Sequence, residues 1–300
     1  MFRRACCLKG FVLAVFCLSF SAKLCHPDGL IQEVEDLGVI DWEKLVIRCT
    51  GVGAPTPEAD PRLPSVIQSA RAEALEKLFK TLRKVSITSE MTVGEVMDAD
   101  KALSEKVRES VKKFRELGTH YMSDGSVEIE VELFLRGELM DLLLPVSGGG
   151  KRITDGLLCP ICGQPWPEGR EVPPDVQLVW VAGKGPPEAF TGLLVDARGL
   201  ALKPALAPQV LNESGKTVYG VAFTKRPSAK EVGIIGYERD LARARNKERV
   251  GPNPLVIEGL RTRGRNKTDV VIDNDHVAVL HSMPEHLKFM EKCRVIIVIQ

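Results

Sequence analysis

From Val127 to Leu135 an apolar side chain stands at every odd position (Val127, Ile129, Val131, Leu133 and Leu135), and a glutamate at each of 128, 130 and 132. A period of two belongs to a strand with one face on a core and the other wet, because successive side chains point to opposite sides of a sheet. Ser123-Asp124-Gly125 just ahead of it is a turn signal that folds Thr119 to Met122 back as an antiparallel partner. Residues 42–50 read as a further strand running into Gly51-Val52-Gly53, a turn or bulge, and then a loop punctuated by Pro55, Pro57, Pro61 and Pro64. In the helix that follows, Ser65 and Gln68 form a capping box, and Ile67, Ala70, Ala74, Leu75, Leu78 and Leu82 recur at a helical period. A second helix spans 98–117, marked by Leu103, Val107, Val111, Phe114 and Leu117, and Gly118 stops it. Strand, helix, helix and hairpin predict an α+β domain over 40–145, with both helices on one sheet face.

Residues 146–187 change character. Gly148-Gly149-Gly150 and the prolines at 160, 165, 167, 173, 174, 186 and 187 read as a Pro/Gly-rich linker, which carries Cys159-Pro160-Ile161-Cys162-Gly163. A second domain of α/β type is expected over 188–300. Its strands fall at Thr191–Val195, Gln209–Leu211, Val218–Phe223 and Asp269–Ile272, Asn274 caps a helix, and Leu287–Met290 makes a helical turn. Val295–Ile299 is apolar throughout and reads as a strand covered on both faces, which closes the chain in a βαβ-like unit. The fold class is therefore α+β: two small domains, the second a mixed-sheet domain ending in a buried strand. With 44% apolar and 27% charged residues in 300, the chain can fill two modest cores.

Arg3, Arg4 and Lys9 precede the apolar run Gly10–Phe20, and Ser19 and Ser21 occupy the small-residue positions of a cleavage site, so residues 1–21 read as a secretory signal peptide. The run is about half the ~20 residues a spanning helix needs, and no transmembrane helix is expected in the mature chain. Removing residues 1–21 takes away those three cations and no acidic residue, leaving 38 basic against 40 acidic side chains. A nearly neutral chain has no global basic field for nucleic acid. Cys6, Cys7 and Cys17 leave with the signal. Cys25, Cys49, Cys159, Cys162 and Cys293 remain, an odd and sparse set that rests the fold on apolar cores rather than disulfides. Leu24 occupies the position before Cys25 where a lipobox needs a small residue.

Three segments carry a resemblance: the strand into Gly51-Val52-Gly53-Ala54, the helix Ala70-Arg71-Ala72-Glu73-Ala74-Leu75, and Asp124-Gly125-Ser126-Val127-Glu128-Ile129-Glu130-Val131. In this order they resemble the amino-terminal domain shared by LPP-twenty type bacterial surface lipoproteins and flagellar assembly protein T. The resemblance covers residues 40–145. It implies a non-catalytic protein of the periplasm or the outer membrane.

The Cys159/Cys162 pair has three readings. As half of a zinc ribbon its spacing suits tetrahedral Zn²⁺, yet a structural site takes four ligands and only two are local, so the rest come from Cys25, Cys49 or Cys293, or from a second chain sharing the ion. As a redox pair it needs a helix amino terminus, which Pro165 and Pro167 oppose. As a loop pair it is a local disulfide or two spare thiols. Gly51-Val52-Gly53 lacks the third glycine of a dinucleotide fingerprint, having Thr56 there. Glu128, Glu130 and Glu132 read as a solvated face, and His276, His281 and His286, five residues apart, share no helix face. Arg243, Arg245, Lys247, Arg249, Arg261, Arg263, Arg265 and Lys267 concentrate positive charge. The alternating Arg261, Arg263 and Arg265 are expected to stand in solvent, either as a plain charged face or as contacts for an anionic envelope polymer. The sequence thus predicts an exported, non-enzymatic envelope protein, periplasmic or outer-membrane associated, serving as an assembly, scaffold or surface-interaction component. Its partners would be an envelope protein or an anionic envelope polymer. The alternative is a zinc-binding or thiol-redox protein using Cys159 and Cys162, zinc there being the one cofactor considered.

Overall fold

A computed structural model describes residues 29–54, 64–180 and 189–300. The expected signal peptide, Cys25 and the prolines at 55, 57, 61, 186 and 187 lie outside the described residues. The architecture is α+β.

The first part runs β1 (Ile31–Val34), β2 (Gly38–Asp41), β3 (Val46–Gly53), α1 (Pro64–Lys84), α2 (Val93–Ala99), α3 (Lys101–Val111), β4 (Arg115–Tyr121), β5 (Val127–Phe134) and α4 (Glu138–Leu143). Its strands form one antiparallel sheet in the order β1-β2-β3-β5-β4. The alternation of β5 holds: Val127, Ile129, Val131 and Leu133 are buried under α1, whose own buried face is Val66, Ala70, Ala74, Leu78, Thr81 and Leu82. Gly51-Val52-Gly53 is not a turn or bulge but the end of β3. A Cβ at Gly51 would lie 2.1 Å from the Ala70 carbonyl oxygen and one at Gly53 2.2 Å from that of Val66. The two glycines let the helix settle directly on the strand. The helix begins at Pro64, ahead of the expected cap Ser65.

The expected helix over 98–117 is broken twice. Asp100 ends α2 and caps α3, its carboxylate accepting from the Leu103 amide at 3.0 Å, and α3 stops at Val111. Arg115–Tyr121 then pairs with β5, so Phe114 and Leu117 leave the helical stripe. Sheet hydrogen bonds along a neighbouring strand outweigh a local period of apolar residues. The hairpin turn is as expected, with the Asp124 carboxylate accepting from the Ser126 amide at 2.9 Å.

Between the two larger parts, β6 (Leu157–Leu158) and β7 (Val179–Trp180) form a short antiparallel pair. Arg152 fastens this segment: Nε and Nη2 donate to the His281 carbonyl at 2.9 and 2.7 Å, and Nη1 to that of Val176 at 2.8 Å.

The remaining elements are β8 (Gly192–Asp196), β9 (Val210–Leu211), β10 (Thr217–Tyr219), α5 (Arg226–Val232), β11 (Gly236–Glu238), α6 (Leu241–Arg245), β12 (Pro254–Glu258), β13 (Arg261–Arg263), β14 (Asp269–Val271), α7 (Asn274–Ser282), α8 (Pro284–Glu291) and β15 (Val295–Val298). They build two four-stranded sheets, β11-β15-β8-β12, parallel throughout, and β10-β9-β14-β13, mixed. All of β15 is buried between β11 and β8, as its apolar run requires. β14 and β15 lie in different sheets, however, so no βαβ unit closes the chain. The cap of α7 is Asp273 rather than Asn274, its carboxylate accepting from the His276 amide at 2.9 Å. Val221–Phe223, expected as strand, is a 3₁₀ turn.

First and last parts share a continuous apolar core containing Trp42, Ile47 and Met140 together with Tyr237, Ile257 and Phe289. Trp42 meets Tyr237 edge to face at a centroid distance of 5.9 Å. Leu206 and Ala207 donate backbone hydrogen bonds to Ser86 and Ile87 at 3.0 and 2.7 Å, and Arg226 Nε donates to the Asp141 carboxylate at 2.6 Å.

Candidate functional site

Cys159 to Gln164 form a tight exposed turn at the end of β6. The Gly163 amide donates to the Cys159 carbonyl at 2.9 Å, the Cys159 amide donates to the Gln164 carbonyl at 2.8 Å, and Gly163 takes φ +69°. This folding aims the amides of Cys162 and Ile161 at the Cys159 sulfur, which also contacts the Cys162 thiol. Those amide bonds, first that of Cys162, favour the thiolate and hold the Cys159 thiol below its ordinary range, with Arg170 adding to the effect. No helix follows the pair: the chain returns to a bridge between Leu158 and Pro165. Cys49 and Cys293 are free and buried in other elements, where burial pushes each thiol up to about 11. Among the described residues no cluster of three or more His, Cys, Asp or Glu side chains is set to hold a metal ion. Within one chain the turn therefore offers a metal two sulfurs.

The glutamate face is only partly wet. Glu130 is exposed, but Glu132 is 3% exposed, bound by Arg115 and, at 3.4 Å, by Arg48, which also reaches the buried Asp41 at 3.8 Å. The expectation of a fully solvated row fails at Glu132, because two arginines from neighbouring strands lie over its carboxylate.

His281 and His286 are fully buried and serve the backbone. His281 Nδ1 accepts from the Ile153 amide at 2.7 Å and Nε2 donates to the Val218 carbonyl at 2.9 Å, and burial holds its pKa down at about 4. His286 Nε2 accepts from the Phe190 amide at 3.1 Å.

The cationic stretch is divided among different tasks. Arg249 donates to the backbone carbonyls of Val232, Gly233 and Cys293 at 2.6 to 2.8 Å, and Lys247 joins Glu43 and the buried Glu238. Arg261 and Arg263 lie exposed on β13, the edge of the mixed sheet, and Arg261 donates to the Glu213 carbonyl at 3.1 Å. Arg265 stands beyond the strand, its guanidinium 2.7 Å from Glu95 and bonded to the Glu90 carbonyl across the junction with the first part. The structure thus brings Arg261 and Arg263 together and separates Arg265 from them.

One surface escaped sequence reasoning. β4 is the edge of the five-stranded sheet, and of its residues all but Gly118 are exposed. Leu117 and Tyr121 on it, and Met122 just after it, show 43%, 54% and 43% of their surface. Thr119 to Met122 was legible as the antiparallel partner of β5, whereas the extension of the strand back to Arg115 was obscured by the helical spacing of Phe114 and Leu117.

A family model described as Treponema pallidum Tp0624, second domain, matches residues 192–300, from the start of β8 to the end of the sequence. No curated protein matches the chain. No helix among the described residues is long and apolar enough to cross a membrane.

Proposed function

We propose that the chain is an exported, non-enzymatic protein of the bacterial envelope, periplasmic or outer-membrane associated, and that it works as an assembly or scaffold component. The edge strand β4 carries this reading. An exposed edge presents unpaired backbone donors and acceptors, and apolar side chains such as Leu117 and Tyr121 add grip for an extended segment of an envelope protein. The bulge at Leu117 leaves Gly118 to Tyr121 in regular register with β5 and so ready to template a further strand. The resemblance of residues 40–145 to surface-lipoprotein and flagellar-assembly domains supports the same compartment. Arg261 and Arg263 offer a second, weaker contact for an anionic envelope polymer. A photo-crosslinking side chain placed at Tyr121 in cells, followed by fractionation, tests the proposal. The chain should enter the envelope fraction and form discrete adducts from position 121 but none from the exposed Glu248. A cytosolic chain, or an envelope chain without adducts at 121, would overturn it. A second reading, zinc binding, is favoured by the amides that face the Cys159 sulfur.

A further inference from the structure

We propose that the cavity between β7, the turn joining β9 to β10 and the start of α7 is a binding site for a neutral sugar residue of a glycan. The inference goes beyond the edge-strand reading and does not depend on it.

The cavity has a volume of about 440 Å³ and is walled by Trp180, Asn212, Asn274 and Asp275 among others. Its size falls within the roughly 300–1,000 Å³ of small-molecule sites. Asn212 is the polar group that most needs a ligand, because it is only 3% exposed and yet half satisfied. Its side-chain oxygen accepts twice, from Ser214 Oγ at 2.8 Å and from the Lys216 amide at 2.7 Å. A backbone N–H can only donate, so the Lys216 bond fixes which end of the side chain is oxygen. The NH₂ end is left to the cavity, with no partner among the described residues. A buried donor of this kind calls for an acceptor brought by whatever enters.

The other walls decide the class of ligand. Asp275, in the first turn of α7, pairs with no cation among the described residues. Asp155, also on the wall, is held by Lys216 Nζ at 2.7 Å. Asn274 spends its NH₂ on Glu213 at 2.6 Å and keeps its side-chain oxygen as an acceptor. An anion would meet two carboxylates here. An ammonium group would suit Asp275 but would set donor against donor at Asn212. A hydroxylated ring answers both, with an oxygen to accept from Asn212 and an O–H to donate to Asp275, and its C–H face suits an indole wall such as Trp180. The groups are in place beforehand. Trp180 pairs with Leu157 and packs on the small core of Leu157, Leu178 and Ala278, and the turn is closed by the Asn212 amide on the Lys216 carbonyl and the Gly215 amide on that of Asn212, both at 2.9 Å.

The test is calorimetric titration of the full chain with tetra-N-acetylchitotetraose, cellotetraose, choline and inorganic phosphate. At least one of the two tetrasaccharides should bind saturably, one per chain, and with an affinity that added salt leaves unchanged, since a neutral ligand has no counter-charge to screen. A response to the acetylated sugar alone would assign the site to amino-sugar glycans, and a response to both to hexose glycans in general. Trp180→Ala should weaken sugar binding by at least about tenfold, a loss of about 1.4 kcal/mol, while Trp180→Phe, which keeps an aromatic wall, should retain most of it. Asn212→Asp keeps the oxygen that Ser214 and Lys216 hold and replaces only the buried donor. It should weaken the sugar and favour choline, a reversal that a merely structural asparagine would not produce. Failure of both sugars to bind, tighter binding of choline or phosphate than of either sugar, or sugar binding unaltered in both Trp180→Ala and Asn212→Asp would overturn the proposal. None of these results bears on crosslinks from β4.

Discussion

His281 shows how a residue with a familiar chemistry is spent on architecture. Both ring nitrogens are bonded to backbone groups and the ring is fully buried, so it stays neutral, with its pKa held at about 4 against an ordinary 6.5. A base whose folded pKa is depressed is protonated first in the unfolded chain. Its contribution is therefore complete above pH 6.5 and is lost as the pH falls toward 4, at most about 3 kcal/mol over that window. Urea unfolding between pH 7 and pH 4.5 should show the midpoint falling. In His281→Gln, less stable at pH 7, the fall should be smaller by the share due to this ring, and an identical slope in both proteins would refute the assignment. Glu132 makes the complementary point about charge. Its place in the alternating strand was legible, but its burial under Arg48 and Arg115 was not, since those arginines stand 84 and 17 residues away and only strand pairing brings them over it.

Elements obeyed their local pattern where that pattern was long and lost it where pairing competed. The eight-residue β5 and the 21-residue α1 formed where apolar periodicity placed them, because one face of each could be buried on the other. β4 formed as expected from Thr119 onward, and against a helical spacing from Arg115 to Gly118. At the contact of β3 with α1, Gly51 has no room for a methyl group, the nearest backbone atoms lying 2.1 and 2.4 Å from the position a Cβ would take. Gly51→Ala should therefore push the helix off the strand and cost about 1–3 kcal/mol, the usual range for overpacking, whereas Val52→Ala, at an exposed neighbour, should cost little. Equal chemical-denaturation midpoints for the two variants would show that the helix does not rest on the glycine. Pro64 and Asp100 illustrate how boundaries slip: each sits one or two residues from where caps and periods alone would put a helix end.

At the scale of the molecule, the two large parts lean on one another through apolar side chains, backbone hydrogen bonds and charge pairs. Tyr237 is central: 2% exposed, edge-on to Trp42, with its hydroxyl accepting from the Ala205 amide at 2.9 Å and donating to the Ala205 carbonyl at 3.1 Å. Because Trp42 belongs to the first part and Tyr237 to the last, unfolding should be shared. Tryptophan emission and far-ultraviolet ellipticity should trace one transition, and Tyr237→Ala should lower its free energy by about 3–5 kcal/mol, the cost of emptying a large buried aromatic site. Two separated transitions, with only the later-numbered part affected, would mean that the junction contributes no stability.

Period and composition, read along the chain, determined the α+β class, the apolar face of β5, the helix that covers it and the buried terminal strand, since each of these follows from which neighbouring positions must leave water. Tertiary structure alone decided that Arg115–Tyr121 is an open edge, that Arg265 spans a junction while Arg261 and Arg263 stay on a strand, and that β14 and β15 part into different sheets. Those outcomes depend on which strands and side chains meet, from the 17 positions between Arg115 and Glu132 to the 170 between Arg265 and Glu95, and the free energy of such pairing is set by register and approach rather than by any local repeat.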